Sequence, residues 1–277
     1  MSNINEIKAL VSLLDDEDEE VIGHISQKII SLGMIIVPFL EQEWQMQKNV
    51  SVQNRIENLI RNLHYGGIKT DMKNWVVEKQ EDLLEGLWIL NRYRYPNLEL
   101  KELKKSIDDI FYDIWLSHRT YQSPYEQIKH LNDIFFNRWQ FKRNNQAPQN
   151  PDNAMLNWVL QTRQSNPIGL CVIYMLIAQR LRMPVYGVNF PNIFILMYQS
   201  EETTFYINVF EGGLVFYKTD IDEYLKKSRL PQNEKFYIPC THKDILVRMC
   251  RNLLNGYEME GEDKNSKDIN ELLKILI

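Results

Sequence analysis

The residue with the strongest claim to chemistry is Cys171, in the stretch SNPIGLCVIYMLIAQ that begins at Ser165. A helix start is written just before it. Asn166 or Ser165 suits the N-cap, Pro167 the first helical position, and Gly169 allows close backbone approach. Cys171 then falls at roughly the fifth helical position, and backbone N–H groups and the dipole near a helix N-terminus lower a thiol pKa. That effect fades beyond the first turn. Leu170, Val172, Ile173 and Tyr174 surround the cysteine with apolar neighbours, the setting of a small packed core residue. Nucleophile and core residue both stand as readings at this point.

A nucleophilic thiol needs a base. The histidines are His24, His64, His118, His130 and His242, scattered without metal-ligand spacing and with none between residues 184 and 217. His118 and His130 are the ones that folding could bring toward Cys171, but each reads more simply as a surface or helix-packing residue. Tyr186, Tyr198 and Tyr206 fall in strand-like runs and read as packing residues, and Asn192 beside Pro191 reads as a turn residue. The pairs Asp108-Asp109 and Glu201-Glu202 read as solvated helix and turn charges. No Gly-rich phosphate loop, HExxH or GxSxG occurs. The expectation is therefore no cofactor and no metal.

The elements that must position Cys171 follow from periodicity. Residues 5 to about 116 read as helix almost throughout, in short amphipathic segments with tight turns, a HEAT-like array at residues 1–78. The run DDEDEE, opening at Asp15-Asp16, reads as the acidic first turn of a helix that stops at Gly33. The segment SVQNRIENLIRNLHYGG reads as ending at Gly66-Gly67. Ser123, Pro124 and Glu126 spell a capping box, and KRNNQAPQNPDNA reads as the clearest loop. Trp75, Trp88, Trp115, Trp139 and Trp158 read as helical core. After the Cys171 helix the period changes: VYGVNF, IFILMY, TFYINVF and LVFY are short β-branched and aromatic runs separated by turn residues. The fold class is therefore α+β and mostly helical, with a small antiparallel sheet packed on a buried helix.

The bulk numbers fit such a chain. Its 277 residues are 44% hydrophobic and 25% charged, with net charge -5, ordinary for a globular protein and unlike the basic balance of a nucleic-acid binder. The N-terminus is acidic by its second turn, unlike a signal peptide, and the longest apolar run, Leu170 to Ala178, is about half of a ~20-residue membrane span. Cys171, Cys240 and Cys250 are three widely spaced cysteines without a CxxC pair. Together these features lead us to expect free thiols, a cytoplasmic location, and neither membrane nor nucleic-acid partners.

The ordered segments TRQSNPIGLCVIYMLIAQRLRMPVYGVNFPNIFIL and FYINVFEGG resemble the transglutaminase-like domain of the SirB N-terminal family. That family shows an R-x-G-I-P-I-S-L stretch, a helix ending A-x-R-L-x-L-P, a G-V-x-F strand, a P-G-H-F hairpin and an I-D-P-F-x-G-G strand end. YEQIKHLNDIFFNRWQFKRN and ILVRMCRNLLNGY are similar to two further family segments, so the resemblance covers roughly residues 79 to 277. It implies a nucleophile at Cys171, a histidine on the following sheet and an aspartate on the next strand. In this sequence Ile193 stands at the histidine position and Asn208 at the aspartate position. Isoleucine accepts no proton, and asparagine gives an imidazolium no charged partner. The expectation is a non-catalytic transglutaminase-like module that binds or scaffolds an unidentified protein partner. The alternatives are a cysteine hydrolase or acyl transferase using Cys171 with a non-standard base, and a small-ligand binder whose cleft is lined by Asn208 and Gly169.

Overall fold

The computed structural model describes residues 4–16, 18–117 and 123–277. His118 lies outside them. The described residues are mostly α-helical with one four-stranded antiparallel sheet, the α+β class read from the sequence. They divide into two compact units, Met1–Asp71 and Met72–Ile277.

The first unit holds α1 (Ile4–Ser12), α2 (Glu19–Ser31), α3 (Val37–Met46) and the first part of α4 (Val50–Glu78). Ile7, Val11, Leu14, Ile25, Ile29, Leu40, Ile56 and Leu63 form its core, one apolar stripe from each helix. Asp18, not Asp15-Asp16, starts α2: its carboxylate accepts from the Glu20 N–H at 2.8 Å. Leu14 is fully buried, and it holds Leu13–Asp15 in a 3-10 turn that delays the next helix. Gly33, with φ +71°, ends α2 as the sequence implied. Gly66-Gly67 do not end their helix. The apolar stripe continues through Ile68, Met72 and Trp75, each at most 1% exposed, and α4 runs on to Glu78 despite the ~1 kcal/mol cost of each interior glycine.

The second unit continues from α4 with α5 (Leu83–Asn91), α6 (Leu100–Trp115) and α7 (Pro124–Asn132), the last prolonged by a π-helical turn at Asp133–Arg138. The capping box at Ser123 and Glu126 is formed. Next come β1 (Lys142–Arg143), α8 (Leu156–Thr162) and β2 (Gln164–Ser165), with β1 and β2 paired in parallel. Then α9 (Pro167–Arg180) leads into β3 (Val185–Val188), β4 (Ile195–Gln199), β5 (Thr204–Asn208) and β6 (Leu214–Phe216), a meander in the order β3-β4-β5-β6. Finally α10 (Lys218–Lys227), α11 (His242–Met259) and α12 (Asp263–Leu276) complete the chain. No single helix is long and apolar enough to cross a membrane.

Helix α9 is the centre of this unit. Ten of its residues, from Ile168 to Ala178, are buried, which is why its sequence is apolar on every face. The sheet alternates sides, as pleated strands must. Val188, Ile195, Met197 and Tyr206 pack against Ile221 and Leu225 of α10, while β3 and β4 also border α9. Two sequence readings need correction. The stretch KRNNQAPQNPDNA contains β1 and a 3-10 turn at Pro151–Ala154, and its Asn144 and Asn153 are buried. Trp75 is core, but Trp115 is 56% exposed because the buried stripe of α6 is Leu103, Ile107, Ile110 and Ile114, which leaves Trp115 on the solvent side.

Candidate functional site

The N-terminus of α9 is built on buried polar contacts. Asn166 is the N-cap, its Oδ1 accepting from the Gly169 N–H at 3.0 Å, and Pro167 takes the first helical position. Ser165 is fully buried, and its hydroxyl donates to the Asn153 carbonyl at 2.6 Å. Asn153 in turn donates to the carbonyls of Ala147 and Pro148, and its Oδ1 accepts from Asn144 Nδ2 at 2.9 Å. Every polar group this buried needs a partner, and the chain of amides supplies them. A side chain at Gly169 does not fit: its Cβ would lie 2.0 Å from Ser165 Oγ and 2.6 Å from the Asn153 oxygen.

One turn further on, Cys171 is fully buried. Its thiol donates to the Phe194 carbonyl at 3.4 Å, and the Val209 N–H faces the sulfur. Burial pushes the thiol pKa far above its ordinary range, and the Val209 amide pulls it back only in part. The favourable influence of the helix N-terminus is overruled by the loss of water. Tyr174, also buried, donates its hydroxyl to Asn132 Oδ1 at 2.8 Å, and Asn132 Nδ2 donates to the Gly213 carbonyl at 3.0 Å. Gly213, at φ +75°, leaves space that the Asn132 side chain fills.

Ile193 and Asn208 come together. Both line a 510 Å³, mostly apolar cavity with Phe190, Ile195, Ile221 and Tyr224. Asn208 Oδ1 is engaged, accepting from the Glu211 N–H at 3.2 Å as the cap of a 3-10 turn. Cys171 is not among the residues lining that cavity. Its sulfur instead meets the backbone of the residues that follow Ile193 and Asn208, namely Phe194 and Val209. Gly169 is not among the residues lining this cavity and faces Ser165 and Asn153.

Among the described residues no histidine is hydrogen-bonded to the Cys171 thiol. His130 Nε2 lies 3.1 Å from Ser117 Oγ, His242 Nδ1 lies 3.1 Å from the Gln80 carbonyl, and His24 and His64 belong to the first unit. Among the described residues no group of His, Cys, Asp and Glu could hold a metal ion. Tyr198 stacks on Phe205 at 4.9 Å, and Tyr206 donates to the Tyr237 carbonyl, both packing roles. Asn192, at φ +64°, is the left-handed residue of the β3–β4 turn.

A second cavity, 270 Å³, opens at the start of α9. Asn150, Asn166, Asn192, Arg248, Asn252 and Asn255 line it, with Phe194 and Phe210 as apolar wall. In the sequence the α11 segment stands out only as a fold motif. Its signal was available: Arg248, Asn252 and Asn255 recur at i, i+4 and i+7, a polar stripe beside the buried stripe of Ile245, Leu246, Met249 and Leu253.

Comparison with known proteins agrees with this architecture. UPF0162 proteins of Xylella fastidiosa strain 9a5c and Pseudomonas aeruginosa are 29% identical over 134 residues and 32% identical over 118 residues. The matches cover 46% and 42% of this chain and 48% and 43% of those proteins, so the chain spans about half the length of the curated relatives it matches. A shorter match, 36% identical over 63 residues, covers 23% of the chain and 24% of a UPF0162 protein of Pasteurella multocida. No solved structure matches the chain. The family profile described as Transglutaminase-like superfamily matches residues 101–251, from α6 through the buried helix and the meander into α11. By that match, which takes in more than half of its length, the chain belongs to the transglutaminase-like superfamily.

Proposed function

We propose that this protein is a transglutaminase-like module without catalysis, acting by binding, scaffolding or regulation of a partner. The observation that carries the reading is the state of Cys171: fully buried, its thiol pKa raised by desolvation, its sulfur meeting the Phe194 carbonyl and the Val209 N–H. A thiolate, not a thiol, is the nucleophile. The isoleucine at position 193 supports the same reading, since it offers no general base. The SirB N-terminal family is the finer assignment we propose on the ordered sequence motifs. With three free cysteines and net charge -5, we propose a cytoplasmic protein whose partner is a protein and neither nucleic acid nor membrane. The helical first unit offers the partner surface.

One observation favours a second reading, a cysteine hydrolase or acyl transferase with a non-standard base: the Val209 N–H that faces the sulfur is a donor of the kind that stabilises a thiolate. Assaying the purified chain against amide and thioester substrates separates the two. The first reading expects no turnover above that of Cys171→Ala. Hydrolysis that Cys171→Ala abolishes would establish the second.

A further inference from the structure

Whereas the lining of the 510 Å³ cavity includes Asp220, that of the 270 Å³ cavity at the start of α9 differs in charge. The chain carries 37 acidic residues, yet no aspartate or glutamate is among the described residues lining this cavity. Its one charged group is the half-buried Arg248. Only one edge of that guanidinium is engaged: Nη1 donates to Asn189 Oδ1 at 2.8 Å and to the Phe190 carbonyl at 3.4 Å. Among the described residues Nη2 and Nε have no protein acceptor and Arg248 has no carboxylate partner. Arg251 lies near enough to add to the positive field.

Among the amide side chains around the cavity, Asn255 donates its Nδ2 to Gln149 Oε1 at 3.2 Å and keeps its oxygen unengaged, while two others keep donors. Asn150 Oδ1 accepts from the Asp152 N–H at 2.8 Å, and Asn166 Oδ1 accepts from the Gly169 N–H at 3.0 Å. Each therefore keeps its NH₂ as the unengaged end. Asn192 and Asn252 make no side-chain hydrogen bond among the described residues, so they are open to either role. An acceptor-poor cavity holding one cation calls for a ligand with one negative charge and several acceptor oxygens. Phe194 and Phe210 give it a small apolar wall. The volume sits just below the ~300–1,000 Å³ usual for small-molecule sites.

We infer that this cavity binds a small monoanionic carboxylate, with the free edge of Arg248 and the amide groups of Asn150 and Asn166 as its donors. A guanidinium edge matches a carboxylate in fork geometry, and a single cation suits a monoanion better than a phosphate dianion. The site deepens the binding reading given above and rests on it in one respect, that the ligand is held and not turned over.

N-acetyl-L-alanine, titrated into the full chain by calorimetry with NMR detection of cleavage, is the probe. Saturable binding is expected, with N-acetyl-L-alanine amide at least about tenfold weaker because it lacks the charge that Arg248 meets. Inorganic phosphate at about pH 8.5, where it is mainly the dianion, is not expected to displace the probe. Arg248→Gln should weaken binding at least about tenfold. Because Arg248 also braces Asn189 and Phe190, Asn252→Asp serves as the second variant. It sets a carboxylate on the wall without touching those bonds and should weaken binding equally, with an unchanged melting temperature. Absence of binding at millimolar probe, equal binding of acid and amide, displacement by phosphate, or full affinity in Asn252→Asp would each overturn the inference. Binding accompanied by cleavage to acetate and alanine would sustain the site while ending the non-catalytic reading.

Discussion

Replacing Gly169 with alanine sets two effects against each other. In the interior of a helix the exchange should stabilise by about 1 kcal/mol through backbone propensity. Here the added methyl meets Ser165 Oγ at 2.0 Å and the Asn153 carbonyl at 2.6 Å, both buried and hydrogen-bonded to each other. Relief requires moving α9 away from β2 or breaking that bond. Overpacking costs about 1–3 kcal/mol, and an unmade buried hydrogen bond about 1–3 more. The net is a destabilisation of about 3 kcal/mol, or roughly 6–12 °C in Tm at the ~2–4 °C per kcal/mol of domains this size. Urea unfolding followed by circular dichroism gives the free energy, and a cycle with Ser165→Ala isolates the clash. Since Ser165→Ala removes the nearest atom, the double variant should recover about 1–2 kcal/mol relative to additivity. A Gly169→Ala protein as stable as the parent, or two substitutions that simply add, would refute the packing described at the start of α9.

Gly66→Ala should stabilise the chain by about 0.5–1 kcal/mol, because the position lies inside α4 with open space around it; a loss of stability in the same unfolding assay would count against a continuous helix. Ile193→His combined with Asn208→Asp restores the residue types of the superfamily pattern, yet Cys171 should remain unreactive toward iodoacetamide, since its sulfur does not line the cavity those positions share. Faster alkylation in the double variant would show that the three positions do meet. Stability should fall at alkaline pH. Burial holds Cys171 far above, and Cys250 at about 12, against roughly 8.5 for a free thiol. The folded state therefore keeps protons that the unfolded state loses. Each buried thiol then removes up to about 1.4 kcal/mol per pH unit between roughly pH 8.5 and its folded pKa. Urea midpoints measured from pH 7 to 10 test this, and Cys171→Ala should make the fall shallower.

Much of the fold was legible because it rests on local signals. The change from helical to alternating period after Arg182 located the meander, and Asn166, Pro167, Ser123 and Glu126 marked helix starts that the structure forms. Gly66-Gly67 misled because a glycine pair reads as punctuation, whereas the burial of Met72 and Trp75 beyond it favours an unbroken helix. The loop after Phe141 misled in a different way. Asn, Gln and Pro signal solvent-exposed turns by composition, but Asn144 and Asn153 bond each other in the interior, a pairing between residues that no local pattern announces. At the site, Cys171 was readable as a helix-N-terminal cysteine, while its burial depends on strands contributed much later in the chain. The side-chain positions at 193 and 208 could be assigned from motif order, but not the cavity that they line. Ile193 lies in the turn before β4 and faces that cavity, while the carbonyl of the next residue, Phe194, accepts from the Cys171 thiol.

Whether the Cys171 thiol is available as a nucleophile in the folded protein decides between a binding module and a cysteine enzyme. Iodoacetamide labelling at neutral pH, resolved by peptide mass spectrometry, measures this for all three cysteines at once. Cys240 is partly exposed and should label first, whereas Cys171 and Cys250, both fully buried, should label only as fast as the protein unfolds. Labelling of Cys171 ahead of Cys240 in the native state would contradict the account.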